Sequence, residues 1–287
     1  MKKFNLKSIL ISSLVISTHL SLTTCTYAIN AVDSNRNTDS KLIWNDEFDG
    51  ETINHENWVY DIGIGNNGWG NNELQYYTNR ADNVRIENGN LIIEAKKENY
   101  KDKNYTSARL KSKGLQEFTY GRIEARIKLP SDQGIWPAFW MLGSNFSSDA
   151  DWPYCGEIDI MENVSKQKDI WGTLHWNNNG PNTYGKKLSI KNVEDYHVYA
   201  IEWTNSYIKW YVDDILYNTA IIGPVYLNEN SYYISSDTIP NNDAFHKPFF
   251  ILLNLAVGGN WPKSPDDTTE FPAKMLVDYV RVYETSK

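Results

Sequence analysis

The chain has 287 residues, 41% hydrophobic and 22% charged, so it can bury a core and does not have the composition of a disordered protein. Its formal net charge of −8 argues against a nucleic-acid partner, because phosphate binding needs clustered lysine and arginine. Aromatic residues make up 14%, with 11 Trp and 19 Tyr. Such rings suit either a β-rich core or stacking on the apolar faces of sugars, and composition leaves both interpretations open.

Residues 1–28 have the pattern of a cleavable signal peptide. Three lysines precede an apolar stretch, residues 8–22, which is too short and too rich in Ser and Thr to span a membrane. Residues 26–28 (Thr-Tyr-Ala) then offer small side chains at the two positions that a signal peptidase reads. We therefore expect a secreted protein. The alternative is a lipoprotein anchored through an acylated Cys25, although Thr before that cysteine is atypical.

The segment after the signal, residues 29–40, is polar and without pattern, and we expect a flexible leader there. Residues 41–287 contain no internal repeat and no low-complexity linker, so they are predicted to form one domain. Once the signal is removed, Cys155 is the only cysteine left. An internal disulfide is thereby excluded, and stability must come from core packing or from a bound ion.

Apolar and polar residues alternate in many short segments of this domain, which is typical of strands. The predicted strands are residues 91–95, 122–129, 198–203, 207–212, 215–217 and 275–283. Asp213 and Asp214 break the pattern between two of them and predict a hairpin. Residues 249–255 are apolar at both odd and even positions, so this strand is predicted to be buried on both faces. No segment keeps a helical apolar period over three turns, so we predict an all-β sandwich of two antiparallel sheets.

Acidic residues recur in the segment 157–162, which reads Glu-Ile-Asp-Ile-Met-Glu. In a strand, Glu157 and Asp159 point to one face, but Glu162 has the wrong parity unless a one-residue bulge near Met161 turns it back. A solvated outer face could also carry such acids, although the aromatic and apolar flanks argue against it. Three acids on one face supply the groups for glycoside hydrolysis, in which a nucleophile and a proton donor about 5–5.5 Å apart give retention.

The segment 157–162 resembles the signature of glycoside hydrolase family 16, in the laminarinase-like (endo-β-1,3-glucanase) branch, whereas the lichenases lack its Met. The resemblance covers nearly all of residues 42–283. Its other blocks are residues 44–48, 69–77, 134–142, 172–176, 255–262 and 277–283. The family implies a β-jelly roll with a substrate cleft across its concave sheet, in a catalytic domain of residues 41–287. It also implies that Glu157 is the nucleophile, Asp159 an assisting acid and Glu162 the general acid/base.

The resemblance further implies the activity and the partner. We expect a monomeric, retaining endo-β-1,3-glucanase that acts on laminarin-type β-glucan, with mixed-linkage β-1,3-1,4-glucan as a further substrate and no cofactor for catalysis. Two alternatives remain open: a relative that acts on a galactan such as agar or carrageenan, and a carbohydrate-binding jelly roll without turnover. Asn163 and the long stretch 223–246 depart from the family pattern at places where substrate contacts could change.

Six further residues are expected to contact substrate by this resemblance. They are Asn71, Arg109, Trp136, Trp140, His175 and Trp261. Trp136 and Trp140 lie in an apolar strand-like segment, so core packing is an equal alternative for both. His175 lies on the strand after the acidic one and is expected beside the catalytic acids.

Relatives in the family bind a structural Ca²⁺ on the convex side through acids and a backbone carbonyl. The matching positions in this chain are Glu47, Asp278 and the carbonyl of Gly89. Hard oxygen ligands suit Ca²⁺, and the ion would be available outside the cell. The alternative is an ordinary pair of surface acids.

Overall fold

The computed structural model describes residues 40–147, 151–228, 231–233 and 236–285. The predicted signal peptide, the alternative anchor at Cys25 and nearly all of the leader lie outside these residues, so they stay predictions. Within the described ranges, no helix is both long enough and apolar enough to cross a membrane.

The described residues form twenty β-strands and two short helical turns, Gly68–Asn72 and Asn242–His246. The strands are β1 Leu42–Asp46, β2 Val59–Asp61, β3 Gln75–Tyr77, β4 Val84–Glu87, β5 Asn90–Tyr100, β6 Lys103–Ser107, β7 Arg109–Lys111, β8 Glu117–Phe118, β9 Gly121–Lys128, β10 Ile135–Gly143, β11 Glu157–Glu162, β12 Asp169–Asn177, β13 Pro181–Ser189, β14 Tyr196–Trp203, β15 Tyr207–Val212, β16 Ile215–Ile221, β17 Val225–Asn228, β18 Ser231–Tyr233, β19 Phe249–Val257 and β20 Ala273–Tyr283. The all-β prediction is confirmed.

Two large sheets contain almost all of these strands. The ten-stranded sheet, here called the outer sheet, has the order β16-β15-β14-β9-β20-β5-β6-β3, with β1 also paired to β20 and β4 to β5. The eight-stranded sheet, here called the cleft sheet, has the order β13-β12-β11-β10-β19-β7-β2, with β8 beside β19. The pairings between the described strands of both sheets are antiparallel, apart from the parallel pair of β3 and β6. The sequence therefore predicted the pairing type correctly.

The hydrophobic core lies between the two sheets, and β9 shows how the sequence builds it. Ile123, Ala125 and Ile127 are fully buried in the core, as strict alternation predicts. The alternate residues Arg122 and Glu124 are also buried, and on the opposite face of the strand they pair with each other at 2.8 Å, which offsets the cost of burying their charges. The outer face of this sheet is thus partly covered rather than fully solvated.

β19, an inner strand of the cleft sheet, is buried at all nine positions, which confirms the prediction for residues 249–255. Leu253 and its alternate neighbours join the core, whereas Leu252 and Asn254 on the other face line a cleft. The predicted hairpin is also confirmed: Asp213 and Asp214 join β15 to β16 with φ values of 49° and 63°. Positive φ at both positions is the geometry of a type I′ turn.

Candidate active site

A cleft of about 980 Å³ crosses the face of the cleft sheet that is turned away from the core. Its lining extends from Asp61 on β2 to Thr183 on β13, which are the two edge strands of that sheet. The residues predicted for catalysis and substrate binding all line it: Asn71, Arg109, Trp136, Trp140, Glu157, Asp159, Glu162, His175 and Trp261. The structure therefore brings the nine predicted residues together in one place.

The acidic strand β11 carries the predicted bulge. Asp159 and Glu162 pair with residues of β12 that are only two apart, so the two residues between them oppose a single partner, Gly172. The extra residue returns Glu162 to the face of Glu157 and Asp159, while the side chain of Met161 joins the core. One inserted residue thus places three carboxyl groups in one cleft.

Two side chains contact these acids directly. Trp136 donates a hydrogen bond from Nε1 to Oε1 of Glu162 at 3.0 Å. His175 lies opposite Glu157 in the ladder, and its Nε2 is 3.3 Å from Oδ2 of Asp159 and 3.7 Å from Oε1 of Glu157. The predicted position of His175 beside the acids is confirmed.

Burial dominates the electrostatics of the acids, and it raises the pKa of Glu157, Asp159 and Glu162, each to about 8. The charge of Asp159 adds to the rise in pKa at both glutamates, whereas the ring of His175 opposes it. Arg109 further opposes the rise at Glu157. Because each negative charge raises the pKa of its neighbours, the first acid to lose its proton helps the others to keep theirs, which is the arrangement that a carboxylate and a proton donor need side by side.

Three tryptophans form an aromatic wall beside Glu162. Trp261 meets Trp136 and Trp171 edge to face, with ring centroids 5.7 Å and 5.8 Å away. Trp261 is 38% exposed, so part of its ring remains available to a ligand. Trp136 lines this wall instead of packing in the core, so the core-packing alternative is wrong for it, and its contact with substrate stays a prediction.

Trp140 lies in the cleft as well, next to Arg109. Its Nε1 donates to Oδ1 of Asn254 at 2.7 Å, and the guanidinium of Arg109 lies 4.9 Å from its ring centroid. The same guanidinium is 4.6 Å from the ring of Trp69, and its Nε is 3.0 Å from a carboxylate oxygen of Asp61. Arg109 is therefore held in place by two indole rings and an acid.

Asn71 belongs to the helical turn Gly68–Asn72 at the edge of the cleft, followed by a buried acid, Glu73. The carboxylate of Glu73 accepts hydrogen bonds from Gln75 at 2.6 Å and from Tyr77 at 3.1 Å. Burial raises the pKa of Glu73. This acid both lines the cleft and fastens the turn that carries Asn71 to β3.

Three cleft tryptophans were not predicted: Trp69, Trp152 and Trp171. Trp152 is 45% exposed, and its ring centroid lies 5.9 Å from that of His175, at the Glu157 end of the acids. Trp69 and Trp152 lie outside the strands, where alternation of residues does not predict the direction of a side chain. Trp171 could have been predicted from the sequence, because it lies four residues before His175 on β12 and therefore faces the same side of the sheet.

The family model of glycosyl hydrolases family 16 matches residues 71–279, which include the acidic strand and the aromatic wall. The chain belongs to glycosyl hydrolase family 16. This membership confirms the resemblance seen in the sequence, the β-jelly-roll fold and the class of glycoside hydrolase.

Members of family 16 are similar to this chain over most of its length. A beta-glucanase from Rhodothermus marinus is 44% identical over 252 residues, which are 85% of this chain and 85% of that protein. The solved catalytic domain of an endo-1,3-beta-glucanase (laminarinase) from Thermotoga petrophila is 40% identical with a TM-score of 0.74, covering 87% of this chain and 99% of that one. The clotting factor G alpha subunit of Tachypleus tridentatus is 41% identical over 249 residues, 85% of this chain, but the chain spans only 34% of that protein.

The strand pairing brings the three predicted calcium ligands of this family 16 chain to one corner. β1 and β5 both pair with the same edge of β20, and the gap between their ends lies at Asp278. Glu47 follows β1 and Gly89 precedes β5, so both reach this gap. The predicted neighbourhood of the three residues therefore follows from the register.

The side chains at this corner are nevertheless arranged as ion pairs. Both carboxylate oxygens of Glu47 accept from Arg281 at 2.8 Å, and Asp278 accepts from Arg126 at 2.8 Å. Arg281 lowers the pKa of Glu47. Because two guanidinium groups engage the acids, a cation would have to open both pairs, and the calcium site stays a prediction.

The first of the two departures from the family pattern, Asn163, lies outside the lining of the cleft. Asn163 is fully buried, and its Nδ2 donates to the carbonyls of Gln167 and Asp169, so it closes a loop instead of contacting substrate. Of the second departure, the stretch 223–246, residues 223–224 and 236–246 are absent from the lining of the cleft. The expectation that Asn163 changes a substrate contact is therefore wrong.

Proposed function

We propose that this chain is a retaining endo-β-1,3-glucanase that hydrolyses laminarin-type β-glucan by double displacement. The observation that carries the proposal is the bulge of β11, which sets three carboxyl groups on one face of a cleft lined with tryptophan. The names of the similar beta-glucanase and laminarinase support the substrate class.

In this mechanism Glu157 attacks the anomeric carbon, and Glu162 gives its proton to the leaving oxygen. Glu162 then takes a proton from the water that hydrolyses the glycosyl-enzyme. The surroundings support these roles: His175 and Arg109 both favour the charged form of Glu157. The N–H of Trp136 engages Oε1 of Glu162 and leaves Oε2 to carry the proton.

Asp159 is assigned the assisting role because it lies between the two glutamates on the same strand and is only 3% exposed. A negative charge on Asp159 raises the pKa of both glutamates, so a proton held by Asp159 makes Glu157 easier to ionise. Nε2 of His175 lies 3.3 Å from Oδ2 of Asp159, which is near enough to interact with that proton. The four groups thus form one proton-sharing set.

The length of the cleft supports action within a chain instead of at its end. Its lining crosses seven strands of the cleft sheet, from β13 to β2. With a strand spacing of about 4.8 Å, six spacings span roughly 29 Å, which is room for several sugar units. Aromatic rings on both sides of the acids, Trp261 and Trp152, offer faces on which sugars can stack.

Export of the enzyme is part of the proposal. A polymeric glucan is too large to enter a cell, so an enzyme that cuts it inside the chain must meet it outside. The signal pattern of residues 1–28 supplies the route. Mass spectrometry of the secreted protein should show a chain that begins near Ile29, whereas an acylated Cys25 at the N-terminus would establish the lipoprotein alternative.

The decisive experiment measures the release of reducing sugar from laminarin, curdlan, lichenan, agarose and carrageenan, with proton NMR of the first product. We expect laminarin to be cut fastest and the new reducing end to form in the β configuration. Activity confined to a galactan would overturn the substrate. An α-configured first product would overturn retention, and binding without turnover would overturn the enzyme.

A further inference from the structure

The bulge of the acidic strand is hydrogen-bonded from beneath by side chains of the other sheet. Trp210 on β15 donates from Nε1 to the carbonyl of Asp159 at 2.8 Å, and Asn218 on β16 donates from Nδ2 to the carbonyl of Gly172 at 3.1 Å. Trp210 is fully buried and Asn218 is 2% exposed. Asp159 and Gly172 are the residues where the regular ladder between β11 and β12 is interrupted.

The two donors form a pair in their own sheet. Trp210 lies directly opposite Asn218 in the ladder of β15 and β16, and the register shifts at the next residue, leaving Tyr217 as an extra residue of β16. A second bulge in the outer sheet thus lies beneath the bulge in the acidic strand. The extra residue allows Tyr217 and Asn218, neighbours in sequence, both to reach towards β12.

The fit between the two bulges leaves no space for a side chain at Gly172. A Cβ atom there would lie 2.4 Å from Cδ1 of Trp210 and 2.5 Å from the hydroxyl oxygen of Tyr217. Both distances are far below van der Waals contact. A glycine at this position therefore permits β12 to lie close enough for Asn218 to reach its backbone.

We propose that Trp210 and Asn218 are positioning residues, whose N–H donors hold the bulge that keeps Glu162 on the face of Glu157 and Asp159. The proposal deepens the function proposed above and depends on it for the role of Glu162. A one-residue slip in pairing would turn Glu162 away from the cleft, since successive strand residues face opposite sides. The bond from Trp210 fixes the peptide unit immediately before the extra residue, where such a slip would begin.

The competing explanation is that both donors merely satisfy buried carbonyls and contribute only to stability. The chain offers a matched control, Trp203 on β14 of the same sheet. Its ring is also fully buried, and its Nε1 donates to the carbonyl of Phe245 at 3.0 Å, in the helical turn Asn242–His246. Trp203→Phe therefore removes the same kind of bond from a place outside the acidic strand.

The experiment compares Trp210→Phe, Trp203→Phe and wild type on whichever polysaccharide of the panel wild type hydrolyses. Both variants should melt lower than wild type. Only Trp210→Phe should lower kcat by about tenfold to a hundredfold with KM within about twofold, because a small displacement of a reacting group is costly. If Trp210→Phe proves too unstable to assay, Asn218→Leu, which removes the second donor, should lower kcat in the same direction.

A second readout does not depend on turnover and separates the two proposals. In protein with ¹³C-labelled carboxyl groups, the titration of Glu162 should shift in Trp210→Phe and remain that of wild type in Trp203→Phe. Equal kcat values and equal titrations in the two variants would overturn the positioning role, even if wild type is a good glucanase. Absence of turnover in wild type would instead overturn the proposed function, and the titration would still decide whether Trp210 holds the bulge.

Discussion

Buried carboxylates occur on both outer surfaces of the sandwich, but their neighbours differ. On the outer sheet, Glu124 is 2% exposed and Arg122 lies 2.8 Å from its carboxylate. In the cleft, Asp159 is 3% exposed and the basic group beside it is the ring of His175 at 3.3 Å. A guanidinium neutralises a buried acid permanently, whereas an imidazole can exchange its proton. Both acids are buried, so the difference between the structural acid Glu124 and the proposed catalytic acid Asp159 lies in the basic group beside each of them.

The strongest test of this comparison replaces the proposed nucleophile. Glu157→Gln removes one charge with little change of shape, so kcat on laminarin should fall by at least about 10³-fold, roughly 4 kcal/mol of barrier. The melting temperature should stay at or above that of wild type, because the change removes a buried acid that Asp159 and Glu162 repel, and Arg109 keeps Asp61 as its partner. Steady-state kinetics and calorimetry check both expectations. Retention of more than about a tenth of kcat, less than 1.4 kcal/mol, would remove Glu157 from this role.

The proposed acid/base residue should respond differently from the nucleophile. Glu162→Ala should slow hydrolysis of laminarin by about 10²–10⁴-fold, yet spare activated aryl glycosides, whose leaving groups need no proton. Added azide should yield a glycosyl azide with retained β configuration, detected by NMR. Glu157→Gln is the control and should give no azide product. Equal losses on both substrate types, without azide product, would contradict the assignment.

The matching change on the outer sheet should affect stability and leave catalysis intact. Glu124→Gln removes one partner of the buried Arg122, which keeps Asp214 at 2.8 Å. We expect a loss of about 2 kcal/mol, less than for a pair broken completely, and a melting temperature lower by about 4–8 °C. The kcat on laminarin should remain within about twofold of wild type. A melting temperature equal to that of wild type together with a reduced kcat would contradict the structural role of Glu124.

The two kinds of acid should also differ in how pH acts on stability. Burial raises the pKa of Glu157 to about 8, so the folded state holds this proton more tightly than the unfolded chain does. Its contribution is therefore full at acidic pH, below the unfolded pKa, and is lost as pH rises towards 8. Glu47 has the opposite sign, because Arg281 lowers its pKa and its contribution is lost on acidification.

Calorimetry at about pH 5 and about pH 8 tests the sign for Glu157, and calorimetry at about pH 3 and about pH 5 tests it for Glu47, whose contribution is lost only below its ordinary pKa. The melting temperature of Glu157→Gln relative to wild type should rise from about pH 5 to about pH 8. The deficit of Glu47→Gln relative to wild type should be larger at about pH 5 than at about pH 3. A difference from wild type that stays constant across its own pH interval would show that the acid in question has no shifted pKa.

Much of this arrangement follows from parity along single strands. The alternation in β9 puts Ile123, Ala125 and Ile127 on one face, which is the core face, and the wrong parity of Glu162 next to two acids on one face led to the predicted bulge. Both inferences need only neighbours in sequence, because a strand turns each successive side chain to the opposite face.

Other features depend on what lies across a sheet or between sheets, which a single sequence does not specify. Arg122 and Glu124 are buried as an ion pair on a face that alternation predicts to be exposed to solvent. The bond from Trp210 to the acidic strand joins residues 51 apart in sequence. The alternation along β15 shows which face of the strand Trp210 occupies. It does not show which backbone carbonyl of the other sheet lies opposite its ring.

The calcium proposal carries the smallest expected effect, because Ca²⁺ must displace Arg281 from Glu47 and Arg126 from Asp278. At tenfold excess over its Kd, an ion that binds only the folded state adds about 1.4 kcal/mol. A chelator should then lower the melting temperature by roughly 3–6 °C, from about 2–4 °C per kcal/mol, without changing kcat. Arg281→Gln removes one competing cation and should enlarge this response, whereas Asp278→Asn should abolish it. If wild type and Arg281→Gln are both indifferent to chelator, the corner is held by its arginines alone and Glu47 belongs with Glu124 among the structural acids.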